Sequence, residues 1–140
     1  MAETPSPSPD NRQPAIRVIM MPKDTNALGT IFGGIILSYI DQAGAVEAYK
    51  QVSGRIVTVA MREVVFHAPV FVGDLVSFFA DTLRRGRTSI TIKVTVEAER
   101  AFGMGKVKVT EAEIIFVHVD QHNRPVALEG SRDSAQDEKR

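Results

Sequence analysis

The order of elements along the chain predicts an α+β domain built from one short strand, a single long helix and then four long strands in succession. Three observations carry that prediction. Apolar residues from Ile35 to Val46 recur at the three-to-four spacing of a helix face. From Arg55 onward the pattern changes to β-branched residues in two-residue alternation. The third is that the chain offers only one helical block. One helix cannot cover both faces of a five-stranded sheet, so an antiparallel sheet curled around that helix is the natural arrangement. The uncovered face and edge strands then call for a second copy, which predicts a homodimer.

Residues 1–14 carry prolines at positions 5, 7, 9 and 14 with serines between, a composition that resists helix and sheet, and read as a disordered tail. Ile16, Val18 and Met20 alternate as a short strand stopped by Pro22. A turn-rich loop from Asp24 to Gly34 leads into the helix. There Ile36, Ile40, Ala43 and Val46 form one row and Ile35, Tyr39 and Gln42 a second, which predicts burial on most sides. Gly44, flanked by alanines, costs about 1 kcal/mol relative to alanine in a helix and therefore signals close packing. Val52-Ser53-Gly54 supplies a stop, with Gly54 as the left-handed residue after the helix.

Arg55 to Phe66 predicts a long strand with Val57, Val59, Met61 and Val65 on one phase, ended by His67-Ala68-Pro69. Asp74 to Leu83 is the next strand and Arg84-Arg85-Gly86-Arg87 its turn. Thr88 to Glu97 has the cleanest alternation, with Ile90, Ile92, Val94 and Val96 facing a core and Ser89, Thr91, Lys93, Thr95 and Glu97 facing away. Lys106 to Val119 is the last strand. Its apolar phase changes between Val107 with Val109 and Ala112 with Ile114 and Phe116, which predicts a bulge near Thr110 or Glu111. Asp120 to Arg124 is a turn, and residues 129–140 form a charged tail, so one domain spans 15–128.

At 140 residues, with 44% hydrophobic and 24% charged, the chain suits one soluble domain with a sizeable core. Its 17 basic and 17 acidic residues cancel and show no basic stripe, which argues against nucleic acid. Without cysteine there is no thiol nucleophile, disulfide or thiolate metal site. No apolar run approaches the roughly 18 residues of a membrane span, and the first residues lack the order of a signal peptide, so a cytoplasmic protein is expected. P-loop, Rossmann, His-Glu-x-x-His and Gly-x-Ser-x-Gly patterns are all absent. His118 and His122 are four positions apart but on a strand end and a turn rather than a helix, so the three histidines make no metal-ligand pair on a helix, and His67 and His118, at strand ends, read as structural.

Two constellations remain. Asp41 sits mid-helix among apolar residues, where a carboxylate loses hydration and needs a partner, or its pKa rises toward that of a general base. The plainer alternative places it on a solvated strip with Ser38 and Gln42. Arg84, Arg85 and Arg87, followed by Thr88 and Ser89, form a cluster suited to phosphate, or else a solvated hairpin tip. Glu63, Glu111 and Glu113 read as edge or salt-bridge carboxylates.

Together, Pro22-x-Asp24-x-Asn26-x-x-Gly29-x-x-Phe32-Gly33-Gly34, Asp41-x-x-Gly44, Phe66-x-x-Pro69-Val70-x-x-Gly73-Asp74 and Gly86-Arg87-Thr88-Ser89 resemble the hotdog-fold acyl-CoA thioesterases, nearest the short bacterial enzymes of the YciA type. The resemblance spans about residues 16–127. It implies hydrolysis of acyl-CoA to a free carboxylic acid and coenzyme A, within fatty acid metabolism, with no metal and no cofactor beyond the coenzyme A of substrate and product. It implies Asp41 as general base or nucleophile, Asn26 positioning water or thioester, and the backbone N–H groups of Gly33 and Gly34 meeting the oxyanion. A helix N-terminus suits that last task on physical grounds alone, through its unpaired donors and positive dipole end. Ile35 stands where close relatives often carry tryptophan and so bears on the acyl pocket. Arg87, Thr88 and Ser89 are carried over as nucleotide contacts, whereas Arg84 and Arg85 rest on charge.

Gly34 and Asp41 lie seven positions apart, roughly 10.5 Å along one helix, so they cannot both reach the same thioester carbon. A composite site follows, with Asn26 and the glycines from one subunit and Asp41 from its partner, as the family's dimers also arrange it. The expected assembly is a homodimer, with a homohexamer built as a trimer of dimers as the further step. Hotdog hydratases place a histidine where this chain has Val46. A non-catalytic acyl-CoA sensor on the same scaffold is the remaining alternative, and a purely structural oligomer is disfavoured by Asn26 and Asp41 standing together.

Overall fold

A computed structural model describes residues 12–128. Its elements are β1 (Ile16–Ile19), α1 (Gly33–Tyr49), β2 (Arg55–Arg62), β3 (Leu75–Arg85), β4 (Ser89–Glu99) and β5 (Lys106–Val119), with short 3-10 turns at Pro22–Asp24 and Ala101–Gly103. The five strands form one sheet in the order β1-β3-β4-β5-β2, antiparallel throughout. Helix α1 lies against β3, β4 and β5. The expected sheet around one helix is present.

The core forms where the two apolar patterns meet. Ile36, Ile40 and Ala43 of the helix pack with Val76 and Phe78 of β3, the Ile90-to-Val96 row of β4, and Ile114 and Phe116 of β5. Tyr39 adds a ring contact, its centroid 5.5 Å from that of Phe78. Gly44 is the point of closest approach to β5, since a Cβ there would lie 3.0 Å from Phe116 Cε2 and 3.3 Å from Ile114 Cδ1. That contact seats the middle of the helix beside the β5–β2 side of the sheet.

Four expectations change. The helix is not buried on most sides, because the sheet covers only the face turned to it: Ser38, Gln42, Val46 and Tyr49 form an exposed strip. Gly54 is not left-handed; α1 ends at Tyr49 with Lys50 in right-handed geometry. Gly54 is needed for space instead, since a Cβ there would run into the His118 ring. Strand β2 stops at Arg62 rather than Phe66, because Glu63 takes a left-handed φ of 59° and breaks the ladder. The β5 bulge falls on Val109, one residue before the predicted place, with Val96 opposite Thr110 and Glu97 opposite Lys108.

Two further bulges matter for the site. On β2 the register shifts between Thr58 and Ala60, and on β3 between Thr82 and Arg84. Both re-aim the side chains that follow. Residues 1–11 and 129–140, the greater part of the two expected tails, lie outside the described residues. Arg12 already lies over the Phe79 ring at 4.8 Å and pairs with Asp81 at 2.6 Å. Among the described residues, no helix is long and apolar enough to cross a membrane.

Candidate active site

The loop before α1 is built by two side chains. Asp24 is buried, and its carboxylate accepts from the Met21 N–H at 3.1 Å and from Lys23 Nζ at 3.0 Å. These bonds, the backbone one first, hold its carboxyl below the usual aspartate value. The Asp24 carbonyl accepts from the Phe32 N–H at 2.8 Å and fixes the entry to the helix. Asn26 ties the rest: its Oδ1 accepts from the N–H groups of Leu28 (2.8 Å) and Thr30 (3.2 Å), and its Nδ2 donates to Thr30 Oγ1 at 3.1 Å. Gly29 closes the turn at a φ of 87° that favours glycine.

Helix α1 begins without a side-chain cap. Its N-cap is Phe32, whose side chain has no acceptor atom and whose carbonyl accepts from the Ile35 N–H at 2.9 Å, so the first N–H groups, those of Gly33 and Gly34, have neither an intrahelical nor a side-chain capping acceptor. The Phe32 ring folds back over Gly34, where a Cβ would lie 2.7 Å from Phe32 Cε2. An apolar cleft of about 280 Å³ opens at this helix start, lined by Gly33, Ile36, Phe66, His67, Pro69 and Val70 among others. Open donors at a positive helix end beside an apolar cavity can receive a carbonyl oxygen that gains negative charge.

The far wall of the cleft is held by a buried ion pair. Asp74, only 2% exposed, accepts from the Phe71 N–H at 2.8 Å and from Arg100. Arg100 also donates to the Pro69 carbonyl at 3.1 Å and lies over the Phe71 ring at 4.8 Å. The Pro69-to-Asp74 motif is thus the frame of the cleft. Val70 joins the two walls, its carbonyl accepting from the Ile31 N–H at 2.8 Å.

Asp41 is half-buried and reaches toward β2, where Thr58 Oγ1 donates to its Oδ1 at 2.7 Å. It is therefore a partnered carboxylate, neither isolated among apolar groups nor part of the Ser38–Gln42 pair, which bond to each other at 3.3 Å. Its Oδ2 has no partner among the described residues. Asp41 does not line the cleft at the helix start, two turns away on the same helix.

The arginines are not gathered. The Leu83 bulge sends Arg84 to the outer face, 3.7 Å from Glu113, while Arg85 turns to the helix side and donates to Gln51 Oε1 at 3.3 Å. Arg87 is exposed beyond the turn, and the carbonyls of Thr88 and Ser89 accept from the N–H groups of His118 and Gly86, each at 2.8 Å. Arg84 and Arg85 thus have partners on opposite faces of the sheet. Ile35 packs half-buried against the core, and its neighbour Ile36 lines the cleft instead. Sequence reasoning missed Thr58, which only the β2 register brings to Asp41, and left His67 as structural although it also lines the cleft.

Residues 28–101 match the family described as the thioesterase superfamily. The acyl-CoA thioester hydrolase YciA of Salmonella typhimurium is 42% identical over 117 residues, covering 81% of this chain and 87% of the relative. Among solved structures, the hexameric thioesterase y2039 from Yersinia pestis superposes with a TM-score of 0.80 at 38% identity, covering 86% of this chain and 98% of that one. Cj0915, a hexameric hotdog-fold thioesterase of Campylobacter jejuni, gives 0.79 at 36% identity, covering 92% and 98%.

Proposed function

The chain belongs to the hotdog-fold thioesterase superfamily, and from that premise we propose that it is an acyl-CoA thioester hydrolase with a site shared between two subunits. The observation that carries this reading is the uncapped start of α1 opening into an apolar cleft, with a partnered carboxylate farther along the same helix. An acyl chain fits the cleft, and the thioester oxygen meets the Gly33 and Gly34 N–H groups.

Asp41 comes from the second copy, because one helix cannot deliver both halves to one carbon. As general base it takes a proton from water as the water oxygen bonds the carbonyl carbon. The carbonyl electrons move onto oxygen and return as the C–S bond breaks, and the thiolate of coenzyme A leaves and is protonated. As nucleophile it forms a mixed anhydride that water then opens. Label from heavy-oxygen water found in the Asp41 carboxylate after a single turnover distinguishes the second route.

Asn26 spends its amide oxygen on its own loop, so what it offers to water or thioester is the second N–H of Nδ2. Arg87, with Thr88 and Ser89 in the Gly86-Arg87-Thr88-Ser89 motif, is the candidate for the nucleotide of coenzyme A that the family resemblance carries over, and Arg84 and Arg85 remain candidates by charge. No step calls for a metal or for a cofactor beyond the substrate's own coenzyme A. The exposed strip of α1 and the β2 edge, where Val59 is 55% exposed, form the dimer face. Dimers assemble further into a hexamer, as the relatives do, in the cytoplasm, where acyl-CoA would be met.

Release of free thiol from a panel of short, medium and long acyl-CoA esters tests the activity. Turnover by the wild type, lost in a folded Asp41→Ala oligomer, supports it; binding of coenzyme A without turnover by the wild type supports a sensor instead.

A further inference from the structure

The chain does not finish its fold at β5. After the turn that starts at Asp120 it doubles back, and residues 125–128 form a strap between the end of β5 and the β3–β4 turn. Pro125 bridges to Val119, and the Val126 N–H donates to the His118 carbonyl at 2.9 Å. Farther on, the Leu128 N–H donates to the Arg87 carbonyl, also at 2.9 Å. Leu128 is fully buried and belongs to the core cluster, so the strap is plugged into the fold at its far end. The turn it reaches carries Gly86-Arg87-Thr88-Ser89.

These contacts converge on His118. It stands half-buried on the phase of Ile114 and Phe116, the helix side of the sheet. Its backbone N–H donates to the Thr88 carbonyl at 2.8 Å and so holds the turn directly. Its ring holds the strap. Nδ1 lies 2.9 Å from the Ala127 carbonyl oxygen, which can only accept, so Nδ1 carries the proton. Gly54 confines the ring from the other side, since a Cβ there would run into it. One side chain thereby fixes residue 127, next to the amide that holds the Arg87 carbonyl.

We propose that His118 is a positioning residue for the nucleotide end of coenzyme A: through residues 127 and 128 it holds the Arg87 backbone, and so sets where the guanidinium meets phosphate. The assignment rests on Arg87, Thr88 and Ser89 being the nucleotide contacts. Within one chain the ring lies beside Gly54, past the end of α1, whereas the cleft and the open N–H donors lie at the start of that helix. Loss of the ring's hydrogen bond therefore weakens capture of the nucleotide and not bond breaking. Binding lost equally from substrate and transition state raises KM and leaves kcat in place.

The test compares wild type with His118→Leu, which removes the donor, and His118→Asn, whose side-chain amide N–H takes the place of Nδ1–H. Gly54→Ala is a second route, because its methyl displaces the ring while His118 stays in the chain. Two substrates of one acyl length are used: the acyl-CoA, and the acyl-N-acetylcysteamine thioester, which lacks the nucleotide. His118→Leu and Gly54→Ala should raise KM for acyl-CoA roughly three- to tenfold, the effect of one lost hydrogen bond, with kcat changed less than about twofold. For the truncated thioester kcat/KM should change less than about twofold, and His118→Asn should recover most of the KM for acyl-CoA. Equal losses on the two substrates, a wild-type KM in His118→Leu, or no rescue by asparagine would overturn the assignment. Calorimetric binding of coenzyme A itself gives a readout independent of turnover. If the wild type binds coenzyme A and hydrolyses nothing, the hydrolase reading fails on its own. Binding that is then weaker in His118→Leu and restored in His118→Asn upholds the positioning role, and equal binding in all three overturns it. A wild type that does not bind coenzyme A overturns it as well.

Discussion

Replacing Asp74 by alanine should be the most destabilising single change in the frame of the cleft. The carboxylate is 2% exposed and receives both the Arg100 guanidinium and the Phe71 N–H. Arg100 is itself only 21% exposed in its side chain, held by the Pro69 carbonyl and the Phe71 ring, so it cannot simply swing into water. Breaking one side of a buried pair costs about 3–5 kcal/mol, because the remaining charge stays desolvated. Asp74→Asn keeps an acceptor for the Phe71 N–H and loses only the charge, which predicts a smaller cost of about 1–3 kcal/mol. Urea unfolding at one fixed protomer concentration reads both, since stability of an oligomer depends on concentration. An Asp74→Ala midpoint equivalent to less than about 1 kcal/mol from wild type would refute the reasoning. So would an asparagine variant weaker than the alanine one.

Two other outcomes follow from the loop before α1. Gly34→Ala places a methyl against the Phe32 ring, where the built Cβ lies 2.7 Å from Cε2, and should cut kcat tenfold or more by displacing the N–H donors. Alanine suits a helix, so the melting temperature should hold; equal losses of stability and rate would point to general damage. For Asp24 the folded pKa is lowered, so its contribution is present above the unfolded value of about 3.9 and is lost as pH falls through the folded pKa. Asp24→Asn should therefore be less stable than wild type at neutral pH, with the difference shrinking below about pH 4. A difference that grows toward acid would contradict the assignment.

Much of this architecture was legible because the pattern is local. The β4 alternation placed Ile90, Ile92, Val94 and Val96 in the core, and the bounds of β5 coincide with the structure. Gly44 reported its packing through its cost: a residue so unfavourable in a helix had to be tolerated for contact with Phe116 and Ile114. What escaped depends on register. Bulges at Val59 and Leu83 leave little trace in composition, yet the first aims Thr58 at Asp41 and the second parts Arg84 from Arg85. The Asp74–Arg100 pair joins residues 26 positions apart, across a whole hairpin. The exposed strip of α1 follows from the sheet reaching one side of the helix only. Apolar spacing shows which residues can be buried, not whether this chain alone buries them.

The shared site is tested most directly by mixing Asn26→Ala and Asp41→Ala chains through denaturation and refolding, then measuring acyl-CoA hydrolysis. In a mixed dimer, one site receives Asn26 from the Asp41→Ala chain and Asp41 from the Asn26→Ala chain, and so is fully wild-type. Random pairing makes half the dimers mixed, so about a quarter of all sites, and of wild-type activity, should return. Activity in verified mixed dimers no higher than the mean of the two parents would contradict a site built from two chains.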